Sequence, residues 1–302
     1  MKQKCPFFSM LPDEAGRKSL LSLLSRYPAL SLSSLGKSVL GRDIPLVRVG
    51  HGRRAVLYVG AHHGMEWITS ILLMKYLTEY AEAVAEKKTV YGMAADYIYA
   101  SRTVYVVPML NPDGVALQVK GADEENPLTD RLRAMSGGDF SCWQANGRGV
   151  DLNHNYDAGF ADYKRLEPSL NIFGGGPTRY AGEYPESEPE TAALCGFLRA
   201  TEVSLLLALH TQGGEIYADY NGYYPKGALS LAERMARLSG YRIARPEKAA
   251  AYGGLKDWFI AETDRPGFTL ECGKGVNPLP EQEAGAIYEG IRGILMTCPA
   301  WC

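Results

Sequence analysis

No run of apolar residues in this chain is long enough to cross a bilayer, and none opens it in the pattern of a secretion signal. The first residues hold Lys2 and Lys4, but charged Asp13, Glu14, Arg17 and Lys18 follow before any continuous apolar stretch. A cytoplasmic protein with no membrane partner is the expectation. Excess charge is missing too: 32 basic residues stand against 34 acidic ones, with no long basic run, which argues against a general nucleic-acid or membrane-surface binder. None of the six cysteines forms a C-x-x-C pair, so neither a zinc ribbon nor a redox motif is indicated. Cys298 and Cys302 near the C-terminus could pair. These absences leave small-molecule or peptide chemistry, and they say nothing of oligomeric state.

The 302 residues suffice for a large core, and alternating patterns run through them. Leu11 to Arg26 has helical spacing and stops before Pro28. Ile44 to Val49 and Ala55 to Gly60 read as strands joined by Gly50-His51-Gly52, a hairpin. A helix over Glu66 to Ala85 and a strand over Thr103 to Met109 follow, the strand closed by an Asn111-Pro-Asp-Gly114 turn. From Lys120 to Glu188 the chain is irregular and rich in Gly, Asn, Asp and Tyr, as functional loops are. Ser187 as N-cap, with Pro189 in the first turn, starts a helix to Ala200. Strand Val203 to His210, helices Gly227 to Ser239 and Gly254 to Glu262, strand Gly267 to Cys272 and helix Pro280 to Met296 complete it. Fully apolar strands alternating with helices imply an α/β fold. We expect a single domain over residues 1–302, with a mixed, mostly parallel sheet of about eight strands and helices on both faces.

Ligands of such sheets gather beyond the carboxyl ends of the strands. There His63 and Glu66, three apart and so on one face of a helical turn, can reach one metal ion. His210, ending the run Val203 to Leu209, makes a third donor. Three protein ligands with one open position are a catalytic zinc set, and no cysteine is spaced to close it. Glu271 sits inside an apolar strand, costly unless it serves a site, faces solvent at an edge or pairs in a salt bridge. At a site it could take the proton of a metal-activated water. In the loop Asn146 to Asn155, Arg148 could stabilise an oxyanion, and Asp151 could accept the second N–H of a ligating imidazole.

These residues resemble the zinc carboxypeptidases of the M14 type. The likeness runs in order through Leu35-Gly-Lys-Ser-Val-Leu-Gly-Arg-Asp-Ile44, Gly60-Ala-His-His63-Gly-Met-Glu66-Trp-Ile68, Asn111-Pro-Asp-Gly114, Val150-Asp-Leu-Asn153, Leu209-His210 and Phe268-Thr-Leu-Glu271, nearly the whole chain. The resemblance implies one zinc ion on His63, Glu66 and His210, with His62 set aside, and Glu271 as general base and acid. It implies Arg148 as polariser of the scissile carbonyl, Asp151 as partner of His63, and Asn153 as binder of a substrate carboxylate.

Two departures bear on substrate choice. His154 stands where digestive carboxypeptidases carry an arginine that grips the terminal carboxylate, and His154 is a weaker, pH-dependent partner for it. Ala249-Ala-Ala251 stands where they carry a mobile tyrosine, with Tyr252 adjacent as a substitute. Other stretches, Trp143 to Asn153, Gly253 to Ile260 and Glu271 to Pro280, are similar to bacterial γ-D-glutamyl-meso-diaminopimelate peptidases. That likeness implies a muropeptide or other small peptide as substrate. A metallocarboxypeptidase or N-acyl amino-acid deacylase is the alternative within the class, and an inactive binding protein of the same fold the alternative outside it.

Overall fold

The computed structural model describes residues 14–246 and 248–301. The first turn expected for the helix from Leu11, and Cys302 with its pairing, lie outside them. Ten strands occur among the described residues: β1 Leu30–Lys37, β2 Asp43–Gly50, β3 Arg54–Val59, β4 Thr89–Val90, β5 Met93–Ala94, β6 Arg102–Val107, β7 Val203–His210, β8 Glu215–Tyr217, β9 Arg242–Ile243 and β10 Gly267–Glu271. Strands β4 and β5 pair only with each other. The other eight form one sheet in the order β1-β2-β6-β3-β7-β10-β8-β9.

The centre of that sheet, β6-β3-β7-β10, is parallel throughout, while β1-β2, β2-β6 and β10-β8 are antiparallel. Its strands read as unbroken apolar runs because both faces are covered. Val56 and Tyr58 of β3, with Leu205, Leu207 and Leu209 of β7, join one core cluster. On this side lie the helices Ile68–Ala85, Ala228–Ser239 and Ala284–Thr297. The alternate residues Leu57, Val59, Leu206 and Ala208 face the helices Pro189–Ala200 and Leu255–Thr263. None of the described helices is long and apolar enough to span a membrane.

Three local expectations are corrected. Strands β2 and β3 are not a hairpin, because β6 lies between them and pairs with both; the hairpin is β1-β2. Asn111 to Gly114 is not a free turn but the start of the helix Pro112–Lys120, with Pro112 in its first turn and the Asn111 Oδ1 accepting from Gly114 N–H at 2.8 Å. Ser187 is not the N-cap of Pro189–Ala200. Glu188 holds that place, and the Ser187 hydroxyl donates to the Glu188 carboxylate.

After β3 the chain goes to β6 on one side, and the next sheet strand, β7, lies on the other. The crevice beyond the carboxyl ends of β3 and β7 is therefore the topological switch point, where open α/β sheets place ligands. His63 follows β3, His210 ends β7, and Glu271 ends β10 directly opposite His210 in the register.

Candidate active site

Backbone hydrogen bonds hold the His63 turn against its neighbours. Gly60 N–H donates to Val107 O, and Gly64 N–H to Gln144 O at 2.9 Å. The Asn111 amide donates to His62 O, Gln144 O and Ala145 O, tying the strand end to the following loop. Gly64 is required for closeness: a Cβ there would lie 2.4 Å from Gly114 O. A single turn, Gly64–Glu66, then brings Glu66 round beside His63.

The result is a compact donor set. His63 Nδ1 lies 2.9 Å from Glu66 Oε1 and His210 Nδ1 3.0 Å from Glu66 Oε2. One ligand atom from each of the three residues falls within 4.8 Å of the others. Burial pulls the His63 imidazole down, but Glu66 and Asp151 outweigh it and hold it well above its usual range. Burial also works against the Glu66 carboxylate, yet His63 and His210 bring it down to about 2. In the absence of a metal, the His63 proton and the Glu66 carboxylate charge thus offset each other. Two imidazole nitrogens and a carboxylate form a set that zinc takes, with a divalent cation replacing the protons.

Around these donors lies a cavity of about 250 Å³, lined by His63, Glu66 and His210 together with Gln144, Asn153, Arg179, Lys256 and Glu271, among others. Burial, reinforced by the charge of Glu66, pushes the Glu271 carboxyl up to about 8. Asp151 sits behind His63: its Oδ1 is 3.2 Å from His63 Nε2, and its Oδ2 accepts from Arg179 N–H at 2.9 Å. The neighbouring His62 turns elsewhere, with Nε2 3.0 Å from the Tyr156 hydroxyl. Asn153 lines the cavity and its Oδ1 accepts from Leu255 N–H, which leaves its NH2 group for a ligand. His154 also lines it; its ring stacks on Tyr163 with centroids 4.0 Å apart, and Nδ1 lies 2.8 Å from Tyr252 O.

Two expected residues are not brought to the cavity. Arg148 pairs with a carboxylate, its Nε lying 3.2 Å from the buried Glu188 Oε2, and it is not among the lining residues. Tyr252 packs its ring with Phe160, Tyr163 and Ala181 and reaches His154 only through its carbonyl. In their stead the structure supplies Gln144, Thr178, Arg179, Tyr217 and Lys256. Lys256 is buried and paired with Asp257, whose carboxyl burial pushes up to about 6 despite that ammonium. Gln144 and Lys256 stand inside the stretches Trp143 to Asn153 and Gly253 to Ile260 that carry the bacterial likeness, whereas Thr178, Arg179 and Tyr217 fall in no recognisable spacing.

A parallel-centred α/β sheet carrying a His-Glu-His set at its switch point, with a separate carboxylate facing it, defines the class of metal-dependent hydrolases. The family model for zinc carboxypeptidases matches residues 17–284, and the chain belongs to that family. Among curated relatives it is 37% identical to the γ-D-glutamyl-L-diamino acid endopeptidase 1 of Lysinibacillus sphaericus, covering 91% of this chain and 68% of that one. It is 26% identical to human carboxypeptidase B over 87% of this chain and 63% of that protein. The fold is that of the carboxypeptidase A of Helicoverpa armigera (TM-score 0.70, 20% identity, 99% of this chain and 76% of that one). It is also that of a murein-tripeptide amidase of Escherichia coli O157 (TM-score 0.54, 20% identity, 88% and 91% covered).

Proposed function

We propose that the chain is a zinc peptidase that hydrolyses the amide between the γ-carboxyl of D-glutamate and meso-diaminopimelate in bacterial cell-wall stem peptides. The carrying observation for hydrolysis is the cluster of His63, Glu66 and His210 within 4.8 Å, with Glu271 on the adjacent strand facing the same cavity. The substrate choice is supported by the 37% identity to a γ-D-glutamyl-L-diamino acid endopeptidase.

His63, Glu66 and His210 would hold the zinc, with Asp151 fixing the His63 ring. Bound zinc supplies Lewis-acid polarisation and lowers the pKa of water towards neutrality. Glu271 has no side-chain hydrogen-bond partner among the described residues, and the charge of a bound dication would favour its ionised form against the burial that raises it to about 8, so its carboxylate would be available to accept the proton of the attacking water. It then returns that proton to the departing amine. Asn153 and Gln144 present amide groups to the polar parts of the substrate. Strand ends hold His210 and Glu271, and the short turns Gly64–Glu66 and Leu152–His154 hold Glu66 and Asn153, so little reorganisation is needed when the substrate arrives.

The test is to incubate the zinc-loaded chain with L-Ala-γ-D-Glu-meso-diaminopimelate, ordinary peptides with a free C-terminus, and N-acyl amino acids. Release of free diaminopimelate from the first, at a rate well above the others, is the expected result. Turnover confined to ordinary peptides would favour the carboxypeptidase reading, which the likeness to carboxypeptidase B supports. Deacylation alone would make the chain an amino-acid deacylase.

A further inference from the structure

We propose that Arg179, not His154, binds a carboxylate of the substrate beside the metal site. The inference rests on the peptidase reading above.

His154 is unsuited to an anion by its geometry. Its Nδ1 faces the Tyr252 carbonyl at 2.8 Å, and a carbonyl only accepts, so Nδ1 carries the proton. Neutral His154 therefore offers a lone pair at Nε2, which repels a carboxylate. Burial also pulls the imidazole below its ordinary range, which keeps it neutral. The anion must be read by another group.

Two side chains of fixed positive charge line the cavity, Lys256 and Arg179. Lys256 is already matched: its ammonium is buried against the Asp257 carboxylate and the Asp219 carbonyl. Arg179 is exposed at the cavity wall, and among the described residues no carboxylate pairs with its guanidinium.

Its backbone is held as though its position mattered. Arg179 takes a left-handed conformation with φ 68°, unusual for a residue with a side chain. Both backbone groups are anchored, N–H to Asp151 Oδ2 at 2.9 Å and C=O by the Tyr163 hydroxyl at 2.7 Å. Asp151 supports His63, and Tyr163 stacks on His154. The anchors thus tie Arg179 to the metal-site wall and to the corner occupied by His154. A strained residue at the cavity wall, fixed from both sides and with no carboxylate partner for its guanidinium among the described residues, is an outlier that points to a function. A guanidinium suits it because it forms two parallel hydrogen bonds with a carboxylate.

The substrate has such groups on both sides of the scissile amide: the α-carboxylate of D-glutamate and a carboxylate of the diamino acid. The experiment compares the chain with Arg179→Asn, asparagine being tolerated in the left-handed region, and with Arg179→Lys. Zinc content and Tm establish that each variant is folded and loaded. Substrates are L-Ala-γ-D-Glu-meso-diaminopimelate and two analogues, each with one of those carboxylates amidated.

The unaltered chain should lose roughly 10-fold or more in kcat/KM on one amidated analogue, which identifies the carboxylate read. Arg179→Asn should show a similar loss on the free acid, carried by KM with kcat within a few-fold, and no further loss on that analogue. Arg179→Lys should recover part of it. Calorimetric binding of the free acid to the Glu271→Gln chain should weaken by the same factor when Arg179→Asn is added. Retention of the full acid-over-amide preference by Arg179→Asn overturns the assignment, as does its absence in the unaltered chain. If only ordinary peptides are cleaved, the muropeptide reading falls. The role of Arg179 is then judged by the same ratio on a peptide with a free or amidated C-terminus.

Discussion

Asp151 and His63 are joined across 88 residues of chain by a 3.2 Å contact between Oδ1 and Nε2. That contact fixes which His63 nitrogen faces Glu66, because Nε2 must donate to the carboxylate and Nδ1 is left for the metal. Burial disfavours the Asp151 charge, but His63 overcomes it and holds the carboxyl far below the usual range, so Asp151 stays ionised at any working pH.

Asp151→Asn should therefore keep the fold but weaken the metal site. An amide can present its NH2 to Nε2 and favour the wrong tautomer. We expect zinc affinity, measured by competition with a chromophoric chelator, to fall roughly 10- to 100-fold. Unchanged affinity would show that the contact is not what sets the His63 ring.

Glu271→Gln separates chemistry from metal binding. The glutamine fills the same place opposite His210 on β10 but accepts no proton. Hydrolysis should fall by roughly 10²- to 10⁴-fold or more while zinc stays at one per chain by metal analysis. Loss of zinc along with activity would instead make Glu271 a ligand or a structural group.

Much of this site was legible because its residues stand at strand ends and in short spacings. His63 and Glu66 are three apart, and His210 and Glu271 close apolar runs, so pattern alone placed all four at one edge of a sheet. The hairpin over residues 44–60 failed for the complementary reason: sequence shows adjacency along the chain, whereas β6 enters between β2 and β3 from 43 residues downstream of β3. The pairing of Arg148 with the buried Glu188 was not legible, because the two stand 40 residues apart. Arg179 was invisible because nothing in its own neighbourhood reveals that Asp151 and Tyr163 will hold its backbone.

Chelation should both inactivate and destabilise the chain. Without metal the buried Glu66 carboxylate has only imidazole nitrogens, His63 Nδ1 at 2.9 Å and His210 Nδ1 at 3.0 Å, as side-chain partners, a poorer arrangement than ligation of all three to a cation. Zinc at about 1,000 times its Kd should add about 4 kcal/mol, seen as a rise in Tm reversed by chelator. A Tm indifferent to zinc would contradict ligation by the His-Glu-His set.

Gly64→Ala tests how tightly the metal turn packs. Its Cβ would meet the backbone of Gly114 at 2.4 Å and Trp143 O at 2.8 Å, neither of which can swing aside as a side-chain tip could. The variant should lose about 1–3 kcal/mol or more of stability in denaturant titration. It should also lose zinc affinity, since the shift falls between His63 and Glu66. A mild Tm change with full zinc content would mean that the turn can move without disturbing its ligands.

Glu190 provides a pH test far from the metal. This fully buried carboxyl, the one acid of the helix Pro189–Ala200, is pushed up to about 7 by desolvation, despite donors at Val39 N–H and the Asn146 amide. Because its folded pKa lies above the unfolded value near 4.5, the native chain keeps a proton that the unfolded chain has lost between those two pH values. Stability must fall as pH rises through that window, by roughly 2–4 kcal/mol from this group. Asp257 contributes the same sign over a narrower range up to about 6. Glu190→Gln removes the titration while keeping an oxygen to accept from Val39. Urea denaturation of the two chains from pH 5 to 8 should show the variant with the shallower decline and a relative gain in stability at pH 8. Parallel curves would mean that Glu190 is already ionised in the native chain at pH 5 and that the Asn146 and Val39 donors dominate over burial.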